Sequence, residues 1–136
     1  MVKELKNKLK NSQFYTEPLE GIGFQYGFNN KFLKKVVDYW NTNYNFAERE
    51  NFLNHYPQYK TKIQGLDIHF IHVKPQTKNN VRVLPLLLLH GWPGSVREFY
   101  SVIPLLTTPK NGYDYVFELI IPSLPGYGYS QVNGYG

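Results

Sequence analysis

The sequence predicts an α/β fold organised around an incomplete, partly parallel sheet. Three observations carry that prediction. The apolar pattern changes period near residue 58, from helical spacing to strict alternation. The run "VLPLLLLH" (residues 83–90) is apolar without alternation, which suits a strand covered on both faces. A helix-patterned segment and a second apolar run, "YDYVFELIIPS", come after it, giving a strand–helix–strand unit expected to be right-handed.

The elements are justified in chain order. Val2, Leu5 and Leu9 form a thin apolar stripe on a short first helix. "QFYTEPLEGIGFQYGFNN" has no period and reads as an ordered meander pinned by its aromatic rings. "NKFLKKVVDYW" places Phe32, Leu33, Val36, Val37 and Trp40 on one face of an amphipathic helix. Asn45, three residues before Glu48, resembles a capping box and opens a helix running to about Leu53. In "YKTKIQGLDIHFIHVKP" a Gln-Gly turn precedes the alternation of Leu66, Ile68, Phe70 and His72 with Asp67, His69, Ile71 and Val73, so a hairpin is expected. "QTKNN" is a polar loop. Pro85 is expected near the start of its strand, because proline donates nothing to a ladder. Ser95 caps one further helix, with Val96, Phe99, Tyr100, Ile103 and Leu106 inward. The expected division is residues 1–58, helical and meandering, and residues 59–136, the start of a sheet.

Composition narrows the function classes. The 136 residues are 42% hydrophobic and 18% charged, enough to bury a core. The +5 charge is uneven: residues 1–62 hold ten Lys/Arg against six Asp/Glu, and the rest five against four. No nucleic-acid motif accompanies these scattered lysines, so solvated helix faces are expected and no nucleic acid as partner. An anionic membrane surface stays open for residues 1–10. The absence of cysteine excludes disulfides and thiolate chemistry. No run reaches the about 20 apolar residues a membrane-spanning helix needs. No cofactor motif and no metal set is found; His69 and His72 fall on opposite strand faces and cannot chelate together.

The chemistry-bearing feature is the turn His90-Gly91-Trp92-Pro93. It falls at the carboxyl end of a strand, where open α/β sheets bind ligands. Gly91 permits close backbone approach. Pro93 lacks an N–H and fixes its own φ, leaving the Trp92 N–H free to point elsewhere. A fixed, unpaired N–H at this edge can serve as an oxyanion-hole donor. The turn alone also fits a plain strand-to-helix connection with Trp92 packed. A second strand ends in "IIPSLPGYGYS", another Pro/Gly-rich loop.

With His90-Gly91-Trp92-Pro93 (HGxP), the loop "PSLPGYG" and the upstream "FYTEPLEGIGFQYGFN", "LKKVVDYW" and "YPQYKTKIQGLDIHFIHVKP", the chain resembles the epoxide hydrolases of the α/β-hydrolase superfamily. The microsomal type, including the insect juvenile hormone epoxide hydrolases, is the best match. The resemblance covers nearly all of the chain. It implies the N-terminal portion of an α/β-hydrolase fold behind a helical, meandering N-terminal region. It implies hydrolysis of a lipophilic epoxide with water, through an Asp alkyl-enzyme ester, with no cofactor. It implies an endoplasmic reticulum, microsomal setting. Trp92 would supply an oxyanion-hole backbone N–H, with His90, Gly91 and Pro93 as the supporting turn.

The elbow Gly-x-Asp-x-Gly that this chemistry requires is absent. Gly112-Tyr113-Asp114 ends in Tyr115-Val116, so Asp114 is expected in a turn. Ser123 is on no elbow, His90 is expected to hold its loop rather than act as a base, and Tyr127 and Tyr129 are not equated with lid tyrosines. No nucleophile or general base is therefore expected among these residues. The expectation is an N-terminal fragment, inactive alone. The alternative is a non-catalytic protein that binds a lipophilic ligand or a partner chain.

Overall fold

The computed structural model describes residues 2–14, 16–77 and 81–132. Lys78, Asn79 and Asn80 of the predicted polar loop lie outside that set, as do Met1, Tyr15 and residues 133–136. The chain divides into two compact units, residues 1–50 and 51–136.

The first unit holds α1 (Val2–Lys10), α2 (Asn30–Thr42) and the start of α3 (Phe46–Leu53). In α1 the charges suit the helix dipole, Glu4 in the first turn and Lys8 and Lys10 in the last. α1 packs against α2. The segment between them is irregular, as expected, and its rings do pin it. Phe24, Phe28 and Phe32 meet with centroids 5.5–5.9 Å apart. α2 begins where Asn29 accepts hydrogen bonds from the Lys31 and Phe32 N–H groups. Of its predicted inner face, Leu33 and Val37 are half-buried, whereas Phe32, Val36 and Trp40 remain exposed. The apolar spacing forecast the helix correctly, but the described residues do not cover that face. At α3, Glu48 N–H donates to Asn45 Oδ1 at 3.0 Å, the expected cap.

The second unit is a four-stranded mixed sheet of order β1-β2-β4-β3. β1 (Gln58–Ile63) and β2 (Leu66–Val73) form the predicted hairpin. Its two-residue turn takes positive φ at both positions, Gln64 at 49° and Gly65 at 86°. That backbone matches the twist of the flanking strands. β2 pairs antiparallel with β4 (Tyr115–Pro122), and β4 pairs parallel with β3 (Arg82–Leu87). Ile71, Leu119 and Ile121 point to one face of the sheet and bury fully against Tyr100 and Ile103. Each such side chain contributes about 1.5–3 kcal/mol.

Three expectations need correction. The first concerns Ser95. It does cap, reciprocally with Glu98, but it opens a 3-10 turn (Val96–Phe99), and α4 (Ile103–Thr107) is a separate helix. Pro104 has no N–H to continue the ladder, and its ring would meet the carbonyl four residues back. That carbonyl, of Tyr100, instead accepts from the Tyr56 hydroxyl at 3.3 Å. The inward residues are nevertheless those the spacing predicts: Tyr100 and Ile103 are buried, and Val96, Phe99 and Leu106 pack beside them.

The second correction concerns β3. It is not covered on both faces; among the described residues it is an edge strand with one neighbour, and Val83, Leu84 and Leu87 are exposed. The third concerns Pro85, which sits fourth in the six-residue strand rather than near its start. Arg82 N–H donates to Asp114 O and Leu88 N–H to Ile120 O, so the even residues face β4 and the odd ones face away. The missing donor of Pro85 therefore points off the open edge and costs no ladder bond.

Candidate functional site

Both chemistry-bearing loops leave the same edge of the sheet. The HGWP turn comes after β3, and residues 123–131 come after β4 beside it, since the two strands run parallel. His90 is buried at 3% exposure. Its Nε2 accepts from the Leu124 N–H at 3.0 Å, so its hydrogen sits on Nδ1, which donates to Gly91 O at 3.0 Å. One imidazole thus ties the two loops together. The Tyr127 ring packs edge-on against it, with centroids 5.1 Å apart.

Gly91 O and the Trp92 N–H belong to one planar peptide unit. Fixing the oxygen fixes the direction of the N–H. Among the described residues the Trp92 N–H has no acceptor. The Trp92 side chain is 84% exposed, so the plain connection with a packed indole is not what the chain forms. The Trp92–Pro93 peptide is cis. Gly94 is needed where it stands: a Cβ there would lie 2.7 Å from Gly91 O and would also strike the Glu98 carboxylate.

A second buried group lies behind the first, and the sequence did not bring its members together. His69 is 3% exposed and Ser123 1%. Gln58 Nε2 donates to Leu53 O, which leaves Gln58 Oε1 to accept from His69 Nε2 at 2.8 Å. His69 Nδ1 therefore accepts from the Ser123 hydroxyl at 2.9 Å. Ser130 Oγ accepts from the His69 N–H at 2.9 Å and donates to Ser123 O at 2.6 Å. Burial first, and then the Lys60 charge, holds the His69 imidazole below its ordinary pKa. A cavity of about 350 Å³ adjoins this group, walled by Leu53, Gln58, Ser95, Tyr100, Ser123 and Tyr129. Trp92 is not in its wall.

The remaining sequence candidates lie elsewhere. Asp114 is in the bend before β4 and pairs with Arg82 at 3.0 Å. Asp67 pairs with Lys62 at 2.7 Å. In each case the hydrogen bond to the cation holds the carboxyl below its usual range. His72 is on the opposite face from His69 and contacts Glu118 at 2.6 Å. His55 is exposed after α3 and packs on Tyr56. No described helix is long and apolar enough to cross a membrane.

A mixed sheet with a glycine- and proline-rich turn at the carboxyl end of a parallel strand defines an α/β-hydrolase-type domain, and the family described as alpha/beta hydrolase fold matches residues 85–134. The family described as Epoxide hydrolase N terminus matches residues 1–99, and the chain belongs to that epoxide hydrolase family. It is 62% identical over 131 residues to juvenile hormone epoxide hydrolase 1 of Ctenocephalides felis, covering 96% of this chain and 28% of that protein. It superposes on the crystal structure of juvenile hormone epoxide hydrolase from the silkworm Bombyx mori with a TM-score of 0.86 and 55% identity, over 97% of this chain and 31% of that one. Against Aspergillus niger epoxide hydrolase the TM-score is 0.74 and the identity 32%, over 96% of this chain and 34% of that one. The chain thus spans under a third of the flea and silkworm proteins.

Proposed function

We propose that these residues form the N-terminal part of an enzyme that hydrolyses lipophilic epoxides to diols, and that the Trp92 N–H is one donor of its oxyanion hole. The observation that carries this is the Trp92 N–H, without an acceptor among the described residues and aimed by the His90–Gly91 hydrogen bond, in a chain of the epoxide hydrolase family. In the proposed reaction a carboxylate attacks an epoxide carbon, the ring C–O bond breaks, the freed ring oxygen takes up a proton and an alkyl ester forms; hydrolysis of that ester by water later returns the proton and the carboxylate. Water then adds to the ester carbonyl, and the resulting O⁻ is held by the Trp92 N–H until the diol leaves. The carboxylate is none of the three aspartates present. Asp67 and Asp114 are held by surface cations, Asp38 is exposed on α2, and no Gly-x-Asp-x-Gly occurs.

The name of the flea relative makes a juvenile hormone epoxide a fitting substrate. The lysines of α1, Lys3, Lys6, Lys8 and Lys10, suit an anionic membrane surface, and an endoplasmic reticulum location belongs to this same proposal. The test is diol formation from a labelled lipophilic epoxide, by the 136-residue chain and by the protein encoded by the transcript that contains it. Diol from the encoded protein and none from the 136 residues is expected. Equal turnover by the short chain would place a nucleophile within it and refute the assignment of roles.

A further inference from the structure

The chain of contacts that fixes the Trp92 N–H does not end at His90. Leu124 N–H, which His90 accepts, is the amide next to Ser123. Ser123 is held at three points: its hydroxyl donates to His69 Nδ1, its N–H donates to His69 O at 2.9 Å, and its carbonyl accepts from Ser130 Oγ. Gly128 leaves the space that the Ser123 hydroxyl occupies: a Cβ there would lie only 2.7 Å from Ser123 Oγ.

The two buried histidines therefore grip the same two residues from opposite neighbours, His69 from β2 and His90 from the turn after β3. Each accepts one hydrogen, from the Ser123 hydroxyl or the Leu124 N–H. Each carries one tyrosine of the loop edge-on, Tyr129 on His69 at 5.3 Å and Tyr127 on His90 at 5.1 Å. Buried polar groups with all partners matched specify a single arrangement.

We infer that His69 is a positioning residue for the Trp92 donor, acting through Ser123, Leu124 and His90. It rests on the oxyanion role proposed above for what it achieves, but not for its geometry. With the Ser123–Leu124 peptide fixed, Leu124 N–H selects the His90 tautomer. The Nδ1–H of that tautomer then pins Gly91 O, and with it the peptide that ends in the Trp92 N–H. His69 touches no reacting atom and transfers no proton.

The experiment is NMR on the ¹⁵N-labelled enzyme encoded around this segment. It reads the tautomer of His90 from its ring nitrogens, the amide signals of Leu124 and Trp92, and the hydrogen exchange of Leu124 against Leu119 in the core. Ser123→Ala removes one oxygen, and His69→Phe removes both ring nitrogens, the Nδ1 acceptor and the Nε2 donor. His69→Asn keeps an acceptor where Nδ1 stood. Ser123→Ala and His69→Phe are expected to speed Leu124 exchange by about tenfold or more at unchanged Leu119 exchange. They are also expected to shift the Trp92 amide and to leave His90 averaging between tautomers. His69→Asn is expected to restore the wild-type pattern. Unchanged His90 and Trp92 signals in Ser123→Ala would overturn the inference, and if His69→Phe does not fold, Ser123→Ala decides alone. An enzyme without epoxide turnover would remove the oxyanion role while leaving these signals as expected, so the two failures are separable.

Discussion

At the residue scale, one peptide plane carries the functional argument. Gly91 O is an acceptor and the Trp92 N–H is a donor, and they cannot be aimed independently. His90 aims both through a single hydrogen bond. Behind it, His69 contributes stability only as a neutral ring, since Nδ1 must accept from Ser123. Burial depresses its folded pKa below the ordinary 6.5. The unfolded chain then binds the proton first as pH falls. The contribution of His69 is thus fully present above about pH 6.5 and is lost as pH drops through the lower folded value. Lys60 on β1 faces it with a positive charge and adds to the depression, and Tyr129 covers the ring. Urea midpoints measured at pH 7.5 and 5.5 are expected to fall more in wild type than in His69→Asn. An equal fall in both would show that His69 does not titrate in this way.

At the scale of elements, the core and the edge separate clearly. Leu119 is fully buried in the central strand β4, so Leu119→Ala is expected to cost about 2–5 kcal/mol in denaturant unfolding. Leu87, 58% exposed on β3, is expected to cost no more than about 0.5 kcal/mol on the same change. Comparable losses would mean that β3 is covered in solution. These elements also show what could be read from sequence. The hairpin was legible because alternation and a Gln-Gly turn are both local. The strand–helix–strand unit was legible, but Pro104 divides its helix, and the inward pattern of Val96, Phe99, Tyr100 and Ile103 runs across the break. The HGWP turn and its His90 anchor were legible because they are contiguous. The His69–Ser123 pair was not: its members are 54 positions apart, and only the antiparallel pairing of β2 with β4 joins them. No local signal predicts that pairing. Pro85 misled because a rule about ladder donors was applied without knowing which way its nitrogen faces.

At the scale of the molecule, an apolar edge strand and an exposed aromatic surface remain among the described residues. Phe24, Phe28, Leu87 and Leu89 are more than half exposed, and Phe32 is exposed too. Unpaired edges template association between chains, and Pro85 and Arg82 blunt this one only in part. The isolated 136-residue chain is expected to self-associate as its concentration rises in light scattering, and Val83→Lys on the edge is expected to reduce that. A monomer at all concentrations would show that the edge is protected. The family, the incomplete sheet and the HGWP turn are what the proposed arrangement rests on, in which this segment would bring an anion-stabilising donor to a reaction whose nucleophile is none of its own aspartates.

The first measurement is therefore the steady-state turnover of a lipophilic epoxide by the enzyme encoded around this segment, wild type against Trp92→Pro. Proline at 92 deletes the donor N–H and leaves the carbonyl of Gly91. Loss of one such donor is expected to slow ester hydrolysis by roughly 10²–10³-fold, with the alkyl-enzyme ester accumulating. Wild-type turnover by a folded Trp92→Pro enzyme, with no trapped ester, would contradict the oxyanion role of Trp92.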